Sequence, residues 1–93
     1  MLVEGRKALI TGSRRGIGRG IAILLAKEGA DIGINDIEHD QAAEDTIEMV
    51  RREGRNASWH LADTSNKAGV NQMIDEFLEQ HGKIDILVNN AVR

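Results

Sequence analysis

Short apolar runs alternate along this chain with longer amphipathic stretches, and glycines mark most of the joins. Four runs of five residues, Lys7–Thr11, Asp31–Asn35, Ala57–Leu61 and Ile84–Val88, have the length and composition of strands. Between them apolar side chains recur at helical spacing. Ile17, Ile21, Leu24 and Leu25 form one such face, Ala43, Ile47 and Val50 a second, and Val70, Met73, Ile74 and Phe77 a third. Gly29, Gly54 and Gly82 supply the stops. Thr64 or Ser65 is expected to cap the third helix, its hydroxyl accepting from first-turn amides. The order β-α-β-α-β-α-β predicts an α/β fold, a doubly wound parallel sheet with helices on both faces. Right-handed crossovers leave few topologies for it. No repeat, low-complexity tract or linker divides residues 1–93, which read as one partial domain.

Composition narrows the picture modestly. The formal net charge is −3 and 41% of residues are hydrophobic, so the chain reads as globular. That charge argues against nucleic-acid or anionic-membrane partners, which call for a basic surface. With no cysteine there is neither a disulfide framework nor a thiolate zinc site. No apolar run approaches the ~20 residues that span a bilayer. The N-terminus lacks the pattern of a secretory signal, which makes the cytoplasm the default compartment. At 93 residues the fold buries a smaller share of its surface than a full-sized domain.

The candidate chemistry starts at the first strand-to-helix join, Thr11-Gly12-Ser13-Arg14-Arg15-Gly16-Ile17-Gly18. Glycines there allow a tight reversal and let a diphosphate approach the backbone without meeting a Cβ. The helix starting near Gly16 points unpaired N–H groups and its positive dipole end at such an anion. The spacing Gly-x-x-x-Gly-x-Gly differs from both the Gly-x-Gly-x-x-Gly fingerprint and the phosphate loop. Its weight therefore comes from the strand-turn-helix context. Arg14, Arg15 and Arg19 cluster at the same turn. Arg14 and Arg19 also read as solvated surface arginines, whereas Arg15 can reach a cofactor phosphate.

Asp36 lies eighteen residues after Gly18, at the end of the second strand. A carboxylate there can accept from adenosine ribose hydroxyls and repel a 2′-phosphate, which favours NAD over NADP; it can also cap the next helix. Arg15 pulls toward NADP, with less weight. Asp63, ending the third strand, can reach the exocyclic amine of adenine or serve a turn. Asn89-Asn90-Ala91 ends the fourth strand where ligands sit in open α/β sheets.

Taken together these residues resemble the short-chain dehydrogenase/reductase family. The resemblance rests on Thr11-Gly12-x-x-x-Gly16-x-Gly18, Asp36, Ala62-Asp63 and Ile84-Asp85-Ile86-Leu87-Val88-Asn89-Asn90-Ala91, and it covers essentially the whole chain. It implies a Rossmann-like half-fold with strand order 3-2-1-4 and NAD, with NADP possible, across the carboxyl ends of the strands. The residues it assigns to the dinucleotide are Gly12, Ser13, Arg14, Arg15, Gly16, Ile17 and Gly18 on the diphosphate side and Asp36 on the ribose. Asp63 and Thr64 would meet the adenine, and Asn90 and Ala91 would lie toward the nicotinamide ribose, while Asn89 braces the sheet. A full-length parent is expected to be a homo-oligomer.

Two features depart from the family. Val92 stands where the family carries glycine, and the chain has no tyrosine, so the Tyr-x-x-x-Lys of the family is absent from these residues. No catalytic residue is assigned. His39, His60 and His81 lack ligand spacing and read as surface or packing residues, and no metal site is expected. Glu44, Glu48, Arg51 and Arg52 read as a solvated helix face, and Trp59 as sheet packing. Two functional classes stay open: the nucleotide-binding part of an NAD(P)-dependent alcohol/carbonyl oxidoreductase, and a binding module without turnover. A non-functional remnant is a third reading.

Overall fold

A computed structural model describes residues 1–91; Val92, and with it the expected departure at the family's glycine position, lies outside them. The elements are β1 (Lys7–Ile10), α1 (Gly16–Lys27), β2 (Asp31–Asp36), α2 (Gln41–Arg52), β3 (Ala57–Leu61), α3 (Lys67–His81) and β4 (Ile86–Val88). All pairings are parallel and the strand order is β3-β2-β1-β4, as the alternating pattern and the resemblance imply.

Side-chain alternation sorts the strands onto two faces. Ala8, Ile10, Ile32 and Ile34 are fully buried beneath α1 and α2, against Ala22, Ala26, Ile47 and Val50. Ile86 and Val88 extend that layer across β4. Leu9 points to the opposite face, where Met73 and Phe77 of α3 cover it. The Phe77 ring lies over Gly33, so close that a Cβ there would stand 2.5 Å from ring carbon. Ser58 and His60, the two buried polar residues of β3, also face α3, and His81 closes on them from its last turn. Trp59 packs on the α1–α2 layer.

Several boundaries differ from the sequence expectation: β1 ends at Ile10 and not at Thr11, β2 runs on to Asp36, and the α3 cap and the start of β4 shift as well. The cap of α3 is Asn66, whose Oδ1 accepts from Gly69 N–H at 3.1 Å; Thr64 and Ser65 are not the cap. Ser65 is taken up by Asp63, whose Oδ1 accepts from its N–H and its hydroxyl. β4 begins at Ile86 because Asp85 is engaged with β1 end-on: its N–H donates to Lys7 O, and its carboxylate accepts from Lys7 N–H. Ile84 packs instead toward the Phe77 cluster.

Candidate functional site at the carboxyl ends of the strands

The carboxyl ends of β1, β2 and β4 meet at one cleft of about 430 Å³. Its lining is Gly12, Arg14, Arg15, Gly16, Asp36, Ile37, Glu38, Asn90 and Ala91. Seven residues singled out from sequence are thus brought together from three segments.

Hydrogen bonds behind the cleft fix its walls. Thr11 Oγ1 accepts from the N–H groups of Asn90 and Ala91 at 3.0 and 3.1 Å, and its own N–H donates to Val88 O. Asn90 Nδ2 donates to Gly12 O. On the other side Asn35, fully buried, accepts from Gly12 N–H at Oδ1 and donates Nδ2 to His60 O and Ala62 O. One side chain on each flank therefore ties the turn to its neighbouring strands. Neither Thr11 nor Asn35 is among the residues that the sequence assigns to the dinucleotide; the amide directly before Asp36 is the available signal.

The glycines act through closeness. A Cβ on Gly12 would stand 3.0 Å from Ala91 Cα, and one on Gly18 would stand 2.4 Å from Gly12 O and 2.8 Å from Ser13 Cα. Only glycine lets the first turn of α1 and the Asn90-Ala91 segment press this tightly on the loop.

Other expected site residues fall away from the lining. Ser13 is fully buried; its hydroxyl donates to Ile10 O and accepts from Asn35 N–H, so it holds the turn and does not face the cleft. Ile17 is 77% exposed in the first turn of α1 and is not part of the lining. Asp63 and Thr64 sit on the adjoining β3–α3 turn, outside the lining. Asn89 is exposed and makes no bracing contact among the described residues; Thr11 takes that part.

The electrostatics are mixed. Arg14 is only 8% exposed, which corrects its reading as a solvated surface arginine. Its Nη1 donates to Asp40 Oδ2 at 2.7 Å, its Nε lies 3.5 Å from Asp36 Oδ2, and Nη2 is 4.0 Å from Glu38. Arg19 is likewise structural: Nε donates to Thr46 Oγ1, and Nη2 to the carbonyls of Arg14 and Ala42. Arg15 remains exposed at the N-cap of α1. That helix start differs from the other two. Asp40 caps α2 and Asn66 caps α3, whereas among the described residues no side chain caps α1 and its first turn holds no carboxylate. An uncapped N-terminus facing a glycine loop is a natural anion seat. Among the described residues no group of His, Cys, Asp and Glu could hold a metal ion, and no helix is long and apolar enough to cross a membrane.

Comparison with known proteins agrees with this architecture. The family model described as short chain dehydrogenase matches residues 6–93. The short-chain dehydrogenase/reductase homolog YusS of Bacillus subtilis is 41% identical over 91 residues, covering 98% of this chain and 84% of that protein. Glucose 1-dehydrogenase 2 of the same organism is 34% identical over 89 residues, covering 96% of this chain but 34% of its own length. A crystal structure of a short chain dehydrogenase from Mycobacterium paratuberculosis bound to NAD superposes with a TM-score of 0.91 at 31% identity; it covers 98% of this chain and 38% of that one. The chain thus spans most of one relative and little more than a third of the others. Strand order, glycine turn and sequence matches converge: this chain belongs to the short-chain dehydrogenase family and forms the N-terminal portion of its fold.

Proposed function

We propose that the cleft binds a dinucleotide, with NAD preferred over NADP, and that the chain is the nucleotide-binding part of an oxidoreductase. The observation that carries this is the glycine turn itself: Gly12 and Gly18 leave no room for a Cβ, beside a helix start that no side chain caps among the described residues. Membership of the short-chain dehydrogenase family and the NAD in the M. paratuberculosis structure support the reading. In it Gly12, Gly16 and the first amides of α1 hold the diphosphate, with Arg15 alongside. Asp36 accepts from the adenosine ribose, and Asn90 and Ala91 border the nicotinamide half. Asp63 and Thr64, on the neighbouring turn, are assigned the adenine. Ser13, Ile17 and Gly18 shape the turn, and Arg14 orders the ribose end.

Bound NAD supplies a hydride acceptor for an alcohol carbon, or in its reduced form a donor to a carbonyl. The residues of this chain bind and orient it and exclude water along the glycine wall. Proton transfer at the substrate needs a group beyond those assigned here, because the 93 residues hold no tyrosine. A second reading keeps the same cleft in a module that binds the dinucleotide without turnover. Under either reading we propose the cytoplasm as the compartment.

Calorimetric titration of the full chain with NAD, NADP and AMP tests the shared core of both readings. NAD and AMP are expected to bind, and NADP more weakly. A folded sample that gives no heat with any of them rejects the proposal.

A further inference from the structure

We propose that Asp40, a residue outside the cleft lining, sets the preference against a 2′-phosphate by holding Arg14 away from it. The inference rests on the dinucleotide reading of the cleft.

Arg14 is the arginine at the ribose end. Its backbone is fixed, since its carbonyl accepts from Thr46 Oγ1 at 2.6 Å and from Arg19 Nη2 at 3.1 Å, so only its side chain is free to pivot. That side chain lines the cleft beside Asp36 and Glu38. It is more than nine-tenths buried, yet its Nε has no hydrogen-bond partner among the described residues. Among the described residues the one short contact of the guanidinium is Nη1 to Asp40 Oδ2, at 2.7 Å. Asp36 at 3.5 Å and Glu38 at 4.0 Å add attraction without a hydrogen bond. Arg14 is thus a phosphate-capable fork whose charge is spent on carboxylates.

Asp40 does two things with two oxygens. Oδ1 accepts from Ala43 N–H at 3.1 Å and caps α2, while Oδ2 holds Arg14. The Ala43 N–H, and after it the charges of Arg14 and Arg15, keep the Asp40 carboxyl below its usual range, so it is ionised at neutral pH. A 2′-phosphate placed on a ribose at Asp36 meets three carboxylates, Asp36, Glu38 and Asp40, against the engaged guanidinium of Arg14 and the exposed one of Arg15. Removing the charge of Asp40 alone both lowers the repulsion and releases Nη1 toward the ribose end.

Asp40→Asn separates the two roles, because an asparagine oxygen still caps α2. The measurement is the ratio of affinities for adenosine 2′,5′-bisphosphate and AMP, by calorimetry on the full chain. Asp40→Asn is expected to shift this ratio toward the bisphosphate roughly fivefold or more. The double variant Arg14→Met/Asp40→Asn is expected to return it to the wild-type value. A ratio unchanged within twofold in a folded Asp40→Asn chain overturns the inference. So does a gain that survives the loss of Arg14, since simple charge removal then explains it. Asp40→Ser, also a good cap, replaces Asp40→Asn should that variant fail to fold. Wild-type protein that is folded and binds neither nucleotide overturns the dinucleotide reading, and the inference falls with it.

Discussion

At the scale of single residues, the site is built by close approach and by buried oxygens that organise backbone. Gly18→Ala forces a Cβ onto the carbonyl of Gly12 and the Cα of Ser13, which are backbone and cannot swing aside. We expect it to cost about 1–3 kcal/mol of stability and to weaken NAD binding, read from urea unfolding and calorimetry. Thr11→Val keeps the shape but strips the oxygen that accepts from Asn90 and Ala91. A loss of about 1–3 kcal/mol is expected by urea unfolding, and a change below about 0.5 kcal/mol would show those amides to be satisfied by water. The glycines were legible because their spacing sits between a strand and a helix. The state of Arg14 was not, because its partner Asp40 is 26 positions away and reaches it only when β2 lies beside β1. Ser13 shows the converse limit: motif membership placed it among the binding residues, but its hydroxyl is consumed inside the turn.

At the scale of elements, α3 is fastened to β3 by a polar device beside its apolar one. Ser58 Oγ lies 2.6 Å from His60 Nε2 and 2.8 Å from His81 Nε2. One hydroxyl can donate to one imidazole and accept from the other, so its hydrogen is satisfied when one ring presents a bare Nε2. Two protonated rings would aim two N–H donors at one oxygen and leave its own hydrogen without a partner. Burial pushes His60 below the ordinary 6.5, with the neighbouring His81 adding to this and Glu76 opposing it. Burial also lowers His81, assisted by Lys7 and opposed by Asp31, which is itself ion-paired with Lys7. Because both folded values lie below the unfolded one, the unfolded chain binds more protons in this window. Their contribution to stability is complete above the unfolded value and is lost as pH falls below about 6.5. The urea midpoint should therefore drop between about pH 7 and pH 5, and His81→Gln should flatten that slope. A midpoint constant across the window would contradict the account. The helices and their glycine stops were legible from periodicity. This cluster was not, since three residues at positions 58, 60 and 81 converge only through the β3–α3 packing, and the histidines lacked any spacing that announced it.

At the scale of the whole molecule, the two faces of the sheet are unequal. The α1–α2 face is a continuous apolar layer reaching Ile86 and Val88. The α3 face ends at Leu9, and Leu87, its neighbour in register on β4, remains 49% exposed. Among the described residues β4 pairs only with β1, so an apolar strand edge is open. Such edges pair with other chains. The 93-residue chain is expected to self-associate as its concentration rises, and Leu87→Lys to reduce this, as sedimentation velocity would show. Identical concentration dependence in the two proteins would remove the edge from the account. Layer order and topology were legible in the alternation of runs, whereas this inequality arises from where α3 lies across the sheet, over β3, Gly33 and Leu9.

The central claim is that a dinucleotide occupies the cleft at the carboxyl ends of β1, β2 and β4. The most direct test follows backbone amide resonances of the isotopically labelled chain while NAD is added. Saturable shifts are expected to concentrate at Gly12, Arg15, Gly16, Asp36, Ile37, Asn90 and Ala91, with the α3 face around His60 and His81 undisturbed. A well-dispersed spectrum of a folded chain that stays unchanged at millimolar NAD, or shifts that gather on another face, would contradict it.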